Sequence, residues 1–168
     1  NDNSGNIADL ASTDYVDYCH NHNIEVWGLV SNLENSNADS TYVLTHTSTR
    51  QNLVNQIVAN AIKYELDGIN LDFESLNGNE VGDAYIQFVR ELSIKCGNNG
   101  LVLSIDNYVP MPYTSFYNRS EQAKFADYVV IMGYDEHYAG SEEGSVSSIG
   151  WVKEGVENTL KEVPASQV

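Results

Sequence analysis

Basic residues are scarce in this chain. It has 8 lysines and arginines against 24 aspartates and glutamates, which gives a formal net charge of −16. Nucleic acids and anionic membrane surfaces are bound by clustered Lys and Arg side chains. The composition therefore excludes both as partners and favours a neutral or cationic ligand.

Long apolar runs and cysteines are also lacking. No run approaches the roughly 18 residues that a membrane-spanning helix needs, and the first residues show no export leader. The 2 cysteines, Cys19 and Cys96, lie in separate helix-like segments, and we expect both to be buried free thiols. The 4 histidines have no spacing that suits zinc, so we expect no metal and no cofactor.

Helical and strand patterns alternate along the chain. Apolar periodicity predicts five helices, at residues 8–22, 48–64, 80–95, 119–125 and 151–160. Between them it predicts four strands, at residues 24–30, 69–73, 101–105 and 128–132. The first helix is expected to be capped by Ser12 or Thr13. This alternation is typical of an α/β fold with a parallel sheet.

Two architectures satisfy such an alternation. An open doubly wound sheet is one, but no glycine-rich phosphate loop follows the first strand. The other is a (β/α)8 TIM barrel, which takes about 200 to 250 residues. With 168 residues, the chain would cover only about four strands and five helices of such a barrel.

The second predicted strand carries unusual polar residues. Side chains alternate faces along a strand, so Asn70, Asp72 and Glu74 share one face while Ile69 and Leu71 take the other. Neighbouring carboxylates in a poorly solvated place do not both ionise readily, so one is expected to keep a proton. A general acid needs that proton, and Glu74 stands at the strand's carboxyl end, where barrels place catalysis.

A structural interpretation competes with this one, because Asp72 and Glu74 could cap the following helix or bind a cation. A second polar strand end weakens that alternative. The fourth predicted strand is followed by Tyr134 and Asp135. In a parallel sheet both polar ends would lie at the same edge.

The two motifs together resemble glycoside hydrolase family 18, the chitinase-type barrels. The family's Asp-x-x-Asp-x-Asp-x-Glu strand is matched by Asp67, Asp72 and Glu74, with Asn70 in place of one Asp. Its Met-x-Tyr-Asp motif is matched by a second set of residues: Met132, Tyr134 and Asp135. The resemblance runs from about residue 24 to 168, and the stretch 106–110 resembles the bacterial branch of spore-cortex and peptidoglycan N-acetylglucosaminidases.

The resemblance implies a role for each matched residue. Glu74 would be the general acid and base of a retaining reaction in which the substrate's own acetamido group is the nucleophile. Asp72 would orient that group, Tyr134 would donate a hydrogen bond to it, and Asp135 would hold the sugar. Further substrate-binding residues are expected to be Asn70, Met132, Asp106 and Asn107. Two motif residues are expected to be structural, namely Asp67 and Gly68.

The resemblance also implies what lies beyond the chain. We expect residues 1–168 to be a partial catalytic barrel, truncated at both ends and corresponding to roughly strands 3 to 6. The parent would hydrolyse β-1,4-linked N-acetylglucosamine glycans, as found in peptidoglycan, spore cortex or chitin. It would act extracellularly, at a bacterial cell wall or spore.

The sequence leaves open the activity of the chain, its self-association and its aromatic sugar contacts. One alternative is a catalytically silent, lectin-like barrel, and another is an inactive piece of the hydrolase. The isolated piece is expected to be able to self-associate through its unpaired edges. Four tyrosines follow strand ends, and one or two of them are expected to stack on sugar: Tyr108, Tyr113, Tyr117 and Tyr138.

Overall fold

The computed structural model describes residues 3–33 and 38–168. Four strands form one sheet: β1 (Trp27–Ser31), β2 (Gly68–Asp72), β3 (Val102–Tyr108) and β4 (Tyr128–Met132). The α-helices of the described ranges are α1 (Thr13–His20), α2 (Ser40–Thr45), α3 (Thr47–Lys63), α4 (Gly78–Val81), α5 (Ala84–Asn98), α6 (Arg119–Gln122) and α7 (Ile149–Thr159). Two 3₁₀ helices cover Pro112–Tyr117 and Ala165–Gln167.

The strands lie side by side in chain order. All three neighbouring pairs are parallel, and the spatial order is β1-β2-β3-β4. In a doubly wound sheet the strand order reverses at a switch point. The order of the described strands runs in one direction without such a reversal. Because βα crossovers are nearly always right-handed, successive crossovers in one direction place their helices on one face. This is the arrangement of part of a (β/α)8 barrel, as expected.

The helix-facing side of the sheet forms the core. Ile69 and Leu71 of β2 are buried with Leu103 and Ile105 of β3. They pack under α3 and α5, whose predicted apolar stripes are buried with one exception: Ile62 of α3 is exposed. The two helices are joined by an ion pair in which the Arg50 guanidinium lies 3.1 Å from Glu91.

The opposite face of the sheet is left uncovered by the described residues. Leu29 is 63% exposed and Tyr128 is 44% exposed, although both are large apolar side chains. Trp27 stacks on Tyr128 with ring centroids 5.7 Å apart, and Val130 extends the same surface. In a closed barrel this face is the packed interior.

Three strands differ in their bounds from the prediction, and for β2 the difference is a shift of one residue, to Gly68–Asp72. β1 was expected from residue 24 but begins at Trp27, because the Val26 amide donates to the Asp67 carboxylate instead of entering the ladder. β3 was expected to end at Ile105 but continues to Tyr108, because its polar end pairs with β4. Contacts with neighbouring segments set the start of β1 and the end of β3, and local periodicity does not encode such contacts.

The remaining elements agree with the prediction in part. Strand β4 has its predicted bounds. Ser12 caps α1, as expected, by accepting a hydrogen bond from the Tyr15 amide. Residues 8–12, expected to be helical, precede α1. The short helices α2 and α4 and both 3₁₀ helices were not predicted, since segments of three to six residues are too short to show an apolar stripe. Cys19 and Cys96 are buried free thiols, as expected.

Asp67 joins three elements at the amino end of β2. Its carboxylate lies 2.9 Å from His20 Nε2 and accepts the Val26 amide at 2.7 Å. Desolvation by burial works to raise the pKa of Asp67, but these hydrogen bonds outweigh it and hold the pKa below its usual range. Asp67 thus has a structural position, far along the strand from Glu74.

Gly68 is required by close packing. A Cβ atom there would lie 2.9 Å from the Trp27 ring and 2.9 Å from the Val102 carbonyl oxygen. The carbonyl belongs to a paired strand and cannot move aside, because Gly68 and Val102 are partners in the β2–β3 register.

Within the described residues, no helix is long and apolar enough to cross a membrane.

Gly68→Ala is expected to lower the free energy of unfolding by about 1–3 kcal/mol, the usual cost of overpacking. Urea denaturation of the protein that carries the complete domain would measure it. Gly97→Ala is the matched control, because a Cβ at this helical position meets no atom within 4 Å. It is expected to be neutral or to stabilise by up to about 1 kcal/mol. Equal effects of the two variants would refute the packing explanation.

The isolated 168-residue chain is expected to self-associate through the uncovered face. Sedimentation velocity would then show a coefficient that rises with protein concentration. Val130→Lys places a charge on that face and is expected to suppress the association, whereas Ile62→Lys, on the exposed side of α3, is expected to leave it unchanged. A concentration-independent monomer would contradict this expectation.

Candidate active site

A cavity opens at the carboxyl ends of β2, β3 and β4. Its volume is about 540 Å³. Parallel strands bring their carboxyl ends to one edge of the sheet, so three separate sequence segments meet here. The polar and aromatic lining includes Glu74, Tyr108, Tyr113, Tyr134, Asp135 and Trp151.

The β2 polar residues take the face away from the helices, as the alternation predicts. Ile69, Leu71 and Phe73 are buried towards the helices, while Asp72 and Glu74 are half-buried on the opposite side. Phe73 stacks on Phe88 of α5 with ring centroids 5.3 Å apart. This core contact fixes the orientation of the strand, so the carboxylates are held at the barrel-facing side.

Asn70 joins β2 to β3. Its amide nitrogen donates to Ser104 Oγ at 2.7 Å and to Asp106 Oδ1 at 3.0 Å. An amide nitrogen carries two protons, so both are committed to β3. An aspartate at this position would place a second carboxylate beside Asp106, whereas Asn70 gives the Asp106 carboxylate a neutral donor.

Tyr134 and Asp135 enter the cavity from the end of β4. The pKa of Tyr134 is raised, first by desolvation and then by the charges of Glu74, Asp72, Asp106 and Asp135. Its hydroxyl therefore stays protonated and faces a group of carboxylates. Asp135 has φ +61°, a left-handed conformation that Asp tolerates better than most residues.

The loop after β4 is closed by two contacts that the sequence analysis missed. The Trp151 indole donates to the Tyr134 carbonyl oxygen at 3.3 Å. Glu136 accepts the Ser148 amide at 2.7 Å and its hydroxyl at 3.0 Å. Its hydrogen bonds with Ser148 hold the pKa of Glu136 below its usual range. Both contacts join the loop to the start of α7 and so fix the backbone that carries Tyr134 and Asp135.

The remaining predicted substrate-binding residues divide into two groups. Met132 is on the barrel-facing side and lines the cavity floor, and Asp106 lies beside Asn70. Asn107 points the other way: it is 2% exposed and exchanges hydrogen bonds of 2.7 and 3.0 Å with Gln122. It follows Asp106 in a strand and therefore takes the helix-facing side, so we leave Asn107 out of the candidate site.

The four tyrosines that follow strand ends also differ in their positions. Tyr117 is buried and donates to the Phe73 carbonyl oxygen at 2.8 Å, so it covers the core. Tyr113 and Tyr138 are exposed at the cavity rim, where a sugar ring could stack. Tyr108 is the last residue of β3, and its hydroxyl accepts the Ser75 amide at 3.2 Å.

Asn32 is another residue near the site that the sequence analysis missed. It follows β1, and its side chain makes hydrogen bonds of 2.8 and 2.9 Å with the main chain of Glu74. A polar residue at the carboxyl end of a parallel strand was the available signal, as it was for Tyr134.

The arrangement suits proton transfer to a bound neutral ligand. A carboxyl group stands at the cavity wall with a second carboxylate two residues before it, and a protonated phenol enters from the neighbouring strand. Among residues 3–33 and 38–168, no three His, Cys, Asp or Glu side chains are grouped so that they could hold a metal ion.

Comparisons with known proteins agree with this geometry. The model of glycosyl hydrolases family 18 matches residues 9–164. The uncharacterized glycosylase YvbX of Bacillus subtilis is 27% identical over 98% of this chain and 51% of its own length. The cortical fragment-lytic enzyme of the same organism is 31% identical over 83% of this chain and 34% of its own length.

A solved structure shows the same fold. The crystal structure of the chitinase from Chromobacterium violaceum superimposes with a TM-score of 0.87 at 24% identity, covering 99% of this chain and 56% of that one. The chain thus spans about half the length of that chitinase and of YvbX. From the family match over nearly all its residues, we conclude that the chain belongs to glycosyl hydrolases family 18.

Proposed function

We propose that the protein containing this chain hydrolyses β-1,4-linked N-acetylglucosamine glycans. The observation that carries the proposal is the placement of Glu74, Tyr134 and Asp135 around one cavity at the carboxyl edge of the sheet. General acid catalysis needs a carboxyl group at the cavity wall. Stabilising a developing charge on an acetamido group needs a fixed neutral donor beside it, and Tyr134 supplies one.

The proposed reaction retains configuration without an enzyme nucleophile. The Glu74 carboxyl gives its proton to the glycosidic oxygen as the bond between that oxygen and C1 breaks. The acetamido oxygen of the same sugar attacks C1 and forms a cyclic oxazolinium intermediate. The Glu74 carboxylate then takes a proton from water as the water oxygen bonds to C1 and opens the ring.

The neighbouring residues stabilise the intermediate. Asp72 orients the acetamido N–H and offsets the positive charge that develops on it. The Tyr134 hydroxyl donates to the acetamido oxygen, and its raised pKa keeps that proton in place. Asp135 would accept a sugar hydroxyl at the cavity entrance. Tyr113 and Tyr138 provide stacking surfaces at the rim.

The natural glycan is proposed from the relatives. The cortical fragment-lytic enzyme acts, by its name, on fragments of spore cortex. A bacterial cell wall or spore cortex outside the cell is therefore the proposed site of action, and chitin has the same linkage chemistry. The uncovered sheet face would be closed by the rest of the barrel in the parent, where activity is expected.

Glu74→Gln in the parent protein is expected to lower kcat on an N-acetylglucosamine oligomer by about 10² to 10⁴, because the amide keeps the size but has no acidic proton. Product release can be followed by chromatography. Glu154→Gln, on the exposed side of α7, is the charge-matched control and is expected to keep full activity.

Two outcomes would contradict the proposal. Glu74→Gln turnover within about tenfold of the wild type would remove Glu74 as the general acid. Oligomer binding without turnover by the wild-type parent would favour the lectin-like alternative.

Tyr134→Phe is expected to lower kcat by about tenfold or more, because its hydrogen bond strengthens as charge develops on the acetamido group. The Kd for the oligomer, measured on Glu74→Gln with and without Tyr134→Phe, is expected to change less. Tyr18→Phe, on the exposed surface of α1, is the control. Equal losses in kcat and binding would show that Tyr134 only binds substrate.

A further inference from the structure

The peptide of Glu74 is held by a side chain from another strand. The Asn32 amide nitrogen donates to the Glu74 carbonyl oxygen at 2.9 Å, and the Asn32 amide oxygen accepts the Glu74 N–H at 2.8 Å. These are the donor and acceptor contacts that the main chain of a paired strand provides. The β1–β2 ladder ends at Ser31 opposite Asp72, and the Asn32 side chain continues it as far as Glu74.

The residue that follows Glu74 is held from β3. The Tyr108 hydroxyl accepts the Ser75 amide at 3.2 Å. Burial, and after it the nearby Glu74 side chain, raise the pKa of Tyr108 to about 12, so the hydroxyl keeps its proton. Arg119 fixes the Tyr108 main chain by donating to its carbonyl oxygen at 2.9 Å.

The backbone beside Glu74 is strained and needs such support. Ser75 has φ +53°, a left-handed conformation that is unfavourable for a residue other than glycine. The turn directs the chain out of the sheet immediately after Glu74. Strained residues of this kind persist where surrounding contacts determine their conformation. Asn32 holds the peptide before the turn, and Tyr108 holds the amide within it.

We propose that Asn32 and Tyr108 are positioning residues that hold Glu74 in the geometry needed to protonate the leaving oxygen. This inference rests on the proposed function, in which Glu74 is the general acid. An acid must lie within about 3 Å of the oxygen it protonates, and a misplacement of about 1 Å can cost about 10² in rate. Asn32 would act through the main chain of Glu74, and Tyr108 through the amide of Ser75 directly after it.

The test compares two substrates of the parent enzyme that differ in leaving group. One is an N-acetylglucosamine tetramer, whose leaving sugar oxygen must be protonated. The other is the dinitrophenyl β-glycoside of the N-acetylglucosamine dimer, whose phenolate departs without a proton. Since kcat/KM reports the steps up to cleavage of the first bond, a misplaced acid lowers this ratio on the tetramer alone.

Asn32→Asp keeps the acceptor for the Glu74 N–H and removes the donor to its carbonyl oxygen. We expect kcat/KM on the tetramer to fall by about tenfold or more, with a change below about threefold on the dinitrophenyl glycoside. Tyr108→Phe keeps the ring that packs on Tyr117 and removes the hydroxyl. It is expected to show the same selective loss and decides the question if Asn32→Asp does not fold.

Ser40→Ala is the matched control, because Ser40 Oγ accepts the other hydrogen bond of the Asn32 amide nitrogen, at 3.1 Å. It is expected to leave both ratios unchanged. Equal losses on the two substrates in Asn32→Asp and Tyr108→Phe, or no loss in either variant, would overturn the positioning role. If Glu74→Gln itself shows no selective loss on the tetramer, the proposed function fails instead.

Discussion

The alternation of side chains along β2 is the constraint on which the rest of the structure depends. Ile69 and Leu71 are buried between the sheet and its helices, and a one-residue slip would expose them and bury carboxylates among apolar groups. Their burial leaves the opposite face to Asn70, Asp72 and Glu74. The core therefore sets the direction of the acidic side chains, and the arrangement of the candidate site follows from the same contacts that stabilise the sheet.

The end of β2 illustrates how a parallel sheet fixes a residue beyond its last paired position. Glu74 lies outside the ladder, yet Asn32, directly after β1, holds its main chain, and Tyr108 of β3 holds the amide of the next residue, Ser75. Each neighbour comes from a strand that is itself held by core packing. A group on a free loop would lose this support, and the left-handed turn at Ser75 would relax.

The uncovered face is consistent with a chain that covers only part of its relatives. Leu29, Tyr128 and Val130 are apolar and solvent-exposed, which is costly for a lone sheet and ordinary for one wall of a closed barrel. The cavity has the same character, since the described residues form its wall on the β2 to β4 side. The helix-facing core, by contrast, is complete around Phe88.

Local patterns in the sequence were enough to predict the order of the four strands and the longer helices, the parallel sheet and the acidic strand end at Glu74. Periodicities of two and 3.6 residues depend only on neighbouring positions along the chain. The contacts of Asn32 were decided by tertiary structure, and so was the burial of Asn107, because pairing with β4 extends β3 past its predicted end. Both depend on which strand lies alongside and in which register. The local pattern of residues along the sequence does not specify that pairing.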